Sequence, residues 1–147
     1  MHAKRTWWLA MALSVCAAVV HAADGAALFT QHCAACHQAD GSGTIGLAPA
    51  LKGEHWLRLG TDRQYLAQVI SHGLSGPIVV NGQRMVGNMP AFAGQLNDEA
   101  LAAIATHVQG TLQERPGQAY SAAEIATARS SAGSPPQSRA LRVQLLK

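Results

Sequence analysis

Cys33-Ala34-Ala35-Cys36-His37 gathers two thiols and an imidazole within five residues. The C-x-x-C-H order is that of a c-type haem attachment site. Both thiols add across the two vinyl groups of one haem to form thioethers, and a two-residue spacer on a helical turn sets both sulfurs along one porphyrin edge. His37 then sits under the iron and ligates it through its imidazole. Rival chemistries need partners that the chain does not offer. A thioredoxin-like pair wants a preceding strand in a βαβ setting. A zinc cage wants two further ligands at zinc-like spacing, and there is no second cysteine pair, while His32 lies too close to complete one. A structural disulfide leaves His37 without a task.

A second axial ligand decides between electron transfer and chemistry at an open iron. The candidates are Met85, Met89, His32, His55, His72 and His107. Met89 stands in Gly87-Asn88-Met89-Pro90-Ala91-Phe92, where Pro90 biases it toward an extended backbone. An extended loop points a thioether at the iron from the face away from His37, and Phe92 shields that side from water. The plainer reading of Met89 is a core filler, a common use of methionine. Met85 is the next choice, packed in a hairpin, and the four histidines read first as helix, surface or packing groups. Met89 is the expected ligand. A vacant sixth position would instead suit a haem enzyme or a gas sensor.

The rest of the chain must hold that cofactor. Its 147 residues allow one domain, and 48% apolar against 13% charged residues exclude a disordered chain. Aromatics make up only 5%, so a covalently held macrocycle would supply the apolar mass that rings would otherwise provide. Lys4 and Arg5, the apolar stretch Trp7 to Val20 and the small residues Ala22 and Ala23 have the order of a secretory signal peptide, with cleavage after Ala22 or Ala23. A retained N-terminal anchor facing the periplasm is the alternative, and Cys16 gives a poor match to a lipidation site because Val15 precedes it. Removal of residues 1–22 leaves a periplasmic protein. Asp24 to Glu114 carries four basic and seven acidic residues, and Arg115 to Lys147 carries five basic and one acidic. No basic stripe dense enough for nucleic acid exists.

Asp24 is placed to cap a first helix leading into Cys33. Residues 38–60 read mostly as loop. Thr61-Asp62-Arg63-Gln64 has the form of a capping box opening a helix to about Ser71, and Pro77 to Met85 reads as a short hairpin turning at Asn81-Gly82. Asn97 caps a helix whose apolar side is Leu101, Ile104, Ala105, Val108 and Leu112, and Ser121-Ala-Ala-Glu124 opens another to about Ser130. A Ser/Gly/Pro linker follows. Residues 131–147 read as a flexible basic tail, the one place suited to an acidic partner or anionic lipid.

The motif at residues 33–37, Pro49-Ala50-Leu51-Lys52-Gly53 and Met89-Pro90-Ala91-Phe92 together resemble a class I monohaem cytochrome c. The run His72 to Gly82 is similar to that of bacterial periplasmic members, including cytochrome subunits of dehydrogenases and oxidases. The resemblance covers about residues 24–130. It implies an all-α fold of four to five short helices around one haem, in a domain over residues 23–130, with a small β-hairpin before the methionine ligand loop. It implies one covalent haem c, His37 and Met89 as axial ligands and the Pro49 carbonyl accepting the His37 N–H. It further implies a non-enzymatic carrier of single electrons between redox proteins such as a dehydrogenase, an oxidase or another cytochrome, either free or as a subunit of such a complex. In that family the last core helix usually carries an aromatic residue against the first helix; His107 stands there and puts that contact in doubt.

Overall fold

A computed structural model describes residues 23–147. The expected signal peptide and Cys16 lie outside the described residues. The fold is all-α with one small antiparallel sheet.

Helix α1 (Gly25–His32) begins where the Asp24 carboxylate accepts the Ala26 and Ala27 N–H groups at 3.0 and 3.2 Å, satisfying two donors that a helix start leaves free. After a break at Cys33, α2 (Ala34–His37) adds a single turn. Helix α5 (Asp98–His107) is capped by Asn97, which accepts from the Ala100 N–H at 2.9 Å, and Asp98 and Glu99 complement its positive end. Its last turn widens to π geometry over Val108–Leu112. Helices α1 and α5 pack together, with the Phe29 and His107 rings 5.4 Å apart between centroids. His107 thus keeps a ring against the first helix.

Helix α4 (Arg63–His72) buries Tyr65, Leu66, Val69 and Ile70. Its cap is Asp62, accepting from Gln64, and not Thr61, whose hydroxyl donates to the Arg58 carbonyl. Helix α6 (Ala122–Ser130) opens on the reciprocal Ser121–Glu124 box. Strand β1 (Leu74–Val80) pairs with β2 (Gln83–Met89) so that Ile78 faces Met85 and Leu74 faces Met89. Asn81 and Gly82, with φ of 50° and 77°, join them. Ile78, Val80 and Met85 are buried while Val79 and Val86 face out, the period-two alternation of a sheet covered on one side.

Two regions depart from expectation. The loop over residues 38–60 contains α3 (His55–Leu59), a short helix that forms because Trp56 and Leu59 are both drawn into the core. Residues 131–147 are not a free tail. Helix α7 (Pro135–Leu145) follows Ser134, with prolines in its first turn where no N–H is needed, and packs on β1, α4 and α3. Ser138 and Arg142, one turn apart, are buried on its inner side, and the Arg58 guanidinium donates to the Leu146 carbonyl at 2.9 Å. The helix count is therefore seven among the described residues, not four to five.

Candidate haem site

The chain around the two cysteines is tightly tied. The Cys33 N–H donates to the Phe29 carbonyl, and the His37 N–H to the Cys33 carbonyl. The exposed carbonyls at the end of α2 are used as well. The Thr44 hydroxyl donates to Cys36 O at 2.8 Å, and the Gly43 N–H to His37 O at 2.9 Å. Gly43 adopts φ 78°, and a Cβ there would sit 2.6 Å from the Ala48 carbonyl oxygen, so glycine is needed for the loop to fold back against α2. That return brings Pro49 to His37.

The Pro49 carbonyl accepts from His37 Nδ1 at 2.9 Å. A carbonyl only accepts, so Nδ1 carries the proton and Nε2 keeps its lone pair. Burial pushes the imidazole's basicity down, partly offset by that same hydrogen bond. His37 is therefore neutral, the form that binds a metal. Cys33 and Cys36 are not joined in a disulfide. Burial, reinforced by the neighbouring Cys36 sulfur, pushes Cys33 up to about 11. A redox-active Cys-X-X-Cys pair shows the reverse, a lowered thiol, so the site does not have the electrostatics of a dithiol oxidoreductase.

Cys33, Cys36, His37, Pro49 and Met89 all line one cavity, whose remaining walls are mainly apolar side chains of α3, α4, α5 and the sheet. The space open to a water-sized sphere is about 160 Å³, against the ~10–15 Å³ that one water requires. Walls of this chemistry, two thiols, a neutral imidazole and a thioether fit a haem.

Met89 is half-buried at the end of β2, directly before Pro90. Gly73, at φ 78°, ends α4 so closely against it that a Cβ would collide with the Met89 carbonyl oxygen. The Phe92 N–H then donates to Ile70 O at 3.0 Å, pinning the segment after Pro90 to α4. Met85 reaches the same cavity but is fully buried in the sheet's inner face. His32 lines the cavity too, edge-on to Phe92 with centroids 6.5 Å apart. The other histidines have separate employment: His72 Nε2 meets Ala128 O at 2.7 Å, His55 Nε2 meets Ala50 O at 3.1 Å, and His107 packs on Phe29.

Sequence reasoning missed three contributors to the walls: Trp56, Tyr65 and Arg142. Tyr65 shares the spacing of Leu66, Val69 and Ile70 and was legible as a core position of α4. Trp56 donates through its indole N–H to Ala50 O at 3.2 Å. Arg142 comes from α7, whose Pro135 and Pro136 after Ser134 were the available signal of a helix start.

Cytochrome c-552 of Thermus thermophilus is 43% identical over 88 residues, covering 58% of this chain and 66% of that protein. The cbb3-type cytochrome c oxidase subunit FixP of Azorhizobium caulinodans is 34% identical over 95 residues, 65% of this chain and 31% of that subunit. The gluconate 2-dehydrogenase cytochrome c subunit of Pantoea cypripedii is 30% identical over 107 residues, 71% of this chain and 24% of that subunit. The chain spans less than two thirds of the length of each of these relatives. The cytochrome c family model matches residues 22–112. That stretch runs from the first helix through the π turn and contains both walls' sulfur and imidazole donors, and the chain belongs to the cytochrome c family, whose members carry covalently bound haem c.

Proposed function

We propose that the protein carries single electrons through one haem c, tethered by Cys33 and Cys36 and ligated axially by His37 and Met89. The supporting observation is that all four side chains border one apolar cavity, with His37 already oriented by the Pro49 carbonyl. When bound, the haem iron supplies reversible one-electron chemistry. The two thioethers keep the group from dissociating. Pro49 fixes the His37 tautomer and ring plane, as hydrogen-bonded partners of metal-binding histidines do. The β1–β2 hairpin presents the Met89 loop, and Gly73 lets that loop lie close to α4. Methionine opposite histidine raises the reduction potential, and apolar walls act in the same direction by disfavouring additional positive charge. With His37 and Met89 both holding the iron, a bound haem would offer no position to a substrate, which supports reading the protein as a carrier and not an enzyme.

The partners are redox proteins. Two of the relatives are named as subunits of an oxidase and a dehydrogenase, which favours a second reading, a fixed electron-transfer subunit of such a complex; co-purification distinguishes the two. The periplasm is the proposed location, resting on the order of charge and hydrophobicity in residues 1–23. Among the described residues no helix is long and apolar enough to cross a membrane.

Met89→Ala tests the ligand set. The variant should keep its covalent haem, lose the weak far-red sulfur band of the oxidised protein, bind carbon monoxide readily when reduced and show a lower potential. An unchanged spectrum and potential would place the ligand elsewhere.

A further inference from the structure

Arg142 is 3% exposed, and a buried guanidinium without an anion is costly. Among the described residues only Nη1 has a partner, donating to the Tyr65 hydroxyl at 3.3 Å. Nε and Nη2 are buried, and none of the described residues satisfies them. Those two atoms form one edge of the guanidinium, the edge whose parallel N–H bonds match the two oxygens of a carboxylate. Among the described residues no carboxylate lies within ion-pairing distance of it. The neighbouring titratable groups are Tyr65 and His55, whose Nδ1 is also buried without a partner among the described residues, so the described residues supply no negative charge in this corner. Arg142 is part of the wall of the haem cavity, together with Tyr65 and Trp56. Haem brings two carboxylate side chains.

Resting on the haem reading above, we propose that Arg142 is a positioning residue of the cofactor site: its Nε–Nη2 edge holds one haem carboxylate, while Tyr65 steadies the guanidinium through Nη1. This gives α7 a role at the site, since it is the element that delivers the positive charge. The paired cation also favours the reduced iron, because it offsets a negative charge that would otherwise stabilise the ferric state.

The test compares wild-type, Arg142→Gln and Arg142→Lys holoproteins. The Gln variant should retain covalent haem by mass. Its ferrous/ferric equilibrium should move about tenfold toward ferric, which is about 59 mV for a one-electron couple. Lys should restore most of that shift, since it returns the charge without the fork. Full haem content with an unaltered potential in the Gln variant overturns the assignment. If the Gln variant does not fold, the wild-type protein decides by nitrogen-15 NMR. A paired Arg142 Nε–H exchanges slowly with solvent and changes frequency between the oxidised and reduced protein; a freely exchanging Nε–H with one frequency in both states overturns the proposal. Added acetate should change neither the potential nor the Nε–H signal, and a saturable response would assign the edge to a solute anion instead. A wild-type mass lacking haem defeats the haem reading itself, whereas haem present with an unmoved Gln potential defeats only the Arg142 assignment.

Discussion

Arg63 and Arg142 are both drawn into the protein, and they end in opposite circumstances. Arg63 donates through Nε to Glu124 at 3.0 Å, through Nη1 to Gln109 and Gln118, and through Nη2 to Ala119, and lies 4.0 Å over the Tyr120 ring. Arg129 repeats the pattern nearby, with Asp98 and the Ala93 and Leu96 carbonyls. Both of these guanidinium groups are thus satisfied by the chain alone. On the cavity side Arg142 has one long hydrogen bond and an idle edge. A buried guanidinium whose partners are all internal is part of the scaffold, and one in a cavity wall with an idle edge points to a guest.

The strongest way to break this contrast is to withhold the guest. The Cys33→Ser/Cys36→Ser protein should lack covalent haem by mass. Its β1, β2 and α7 amides should exchange with solvent on the order of a hundredfold faster than in holoprotein, in keeping with an unfilled cavity, while α5 and α6 lose much less protection. Equal loss in both halves would end the distinction. Arg63→Met comes next. It should lower unfolding stability by about 2–3 kcal/mol, through lost hydrogen bonds to charged partners, and leave the reduction potential where it was. A moved potential would show that the two regions are not separate.

The smallest effect sharpens the contrast through pH. The Arg63 guanidinium, helped by the Ser121 N–H, holds the Glu124 carboxyl below its usual range. A lowered folded-state value stabilises the protein at neutral pH, and that contribution disappears as pH falls through the lowered value. Glu124→Gln keeps the shape of the capping box but not the charge. It should cost about 1 kcal/mol or less at pH 7 and nothing at acid pH, read as converging denaturation midpoints.

The parts of the site set by short-range chemistry were readable in the sequence. Cys33, Cys36 and His37 declare their arrangement by spacing alone, Asp24, Asn97 and the Ser121–Glu124 box mark helix starts through side chains that satisfy adjacent N–H groups, and Pro90 restricts Met89 locally. What failed depended on distant contacts. Residues 55–59 lie among glycines and are helical because Trp56 and Leu59 find a core made by other segments. Residues 139–147 alternate basic and apolar side chains, which suggested a solvated tail; the pairing of Ser138 with Arg142 at helical spacing acquires meaning only once α3, α4 and β1 exist to cover them. A buried arginine is the hardest case, since nothing local distinguishes it from a surface one.

Helix α7 also follows, in chain order, the segments that bear the thiols, the imidazole and the thioether. Apart from Pro135 to Leu145, the thiols, the imidazole and the thioether are all in place, and what α7 adds to the cavity wall is Arg142. Chains truncated before Arg142 should therefore still accept a haem, yet hold it in a looser seat.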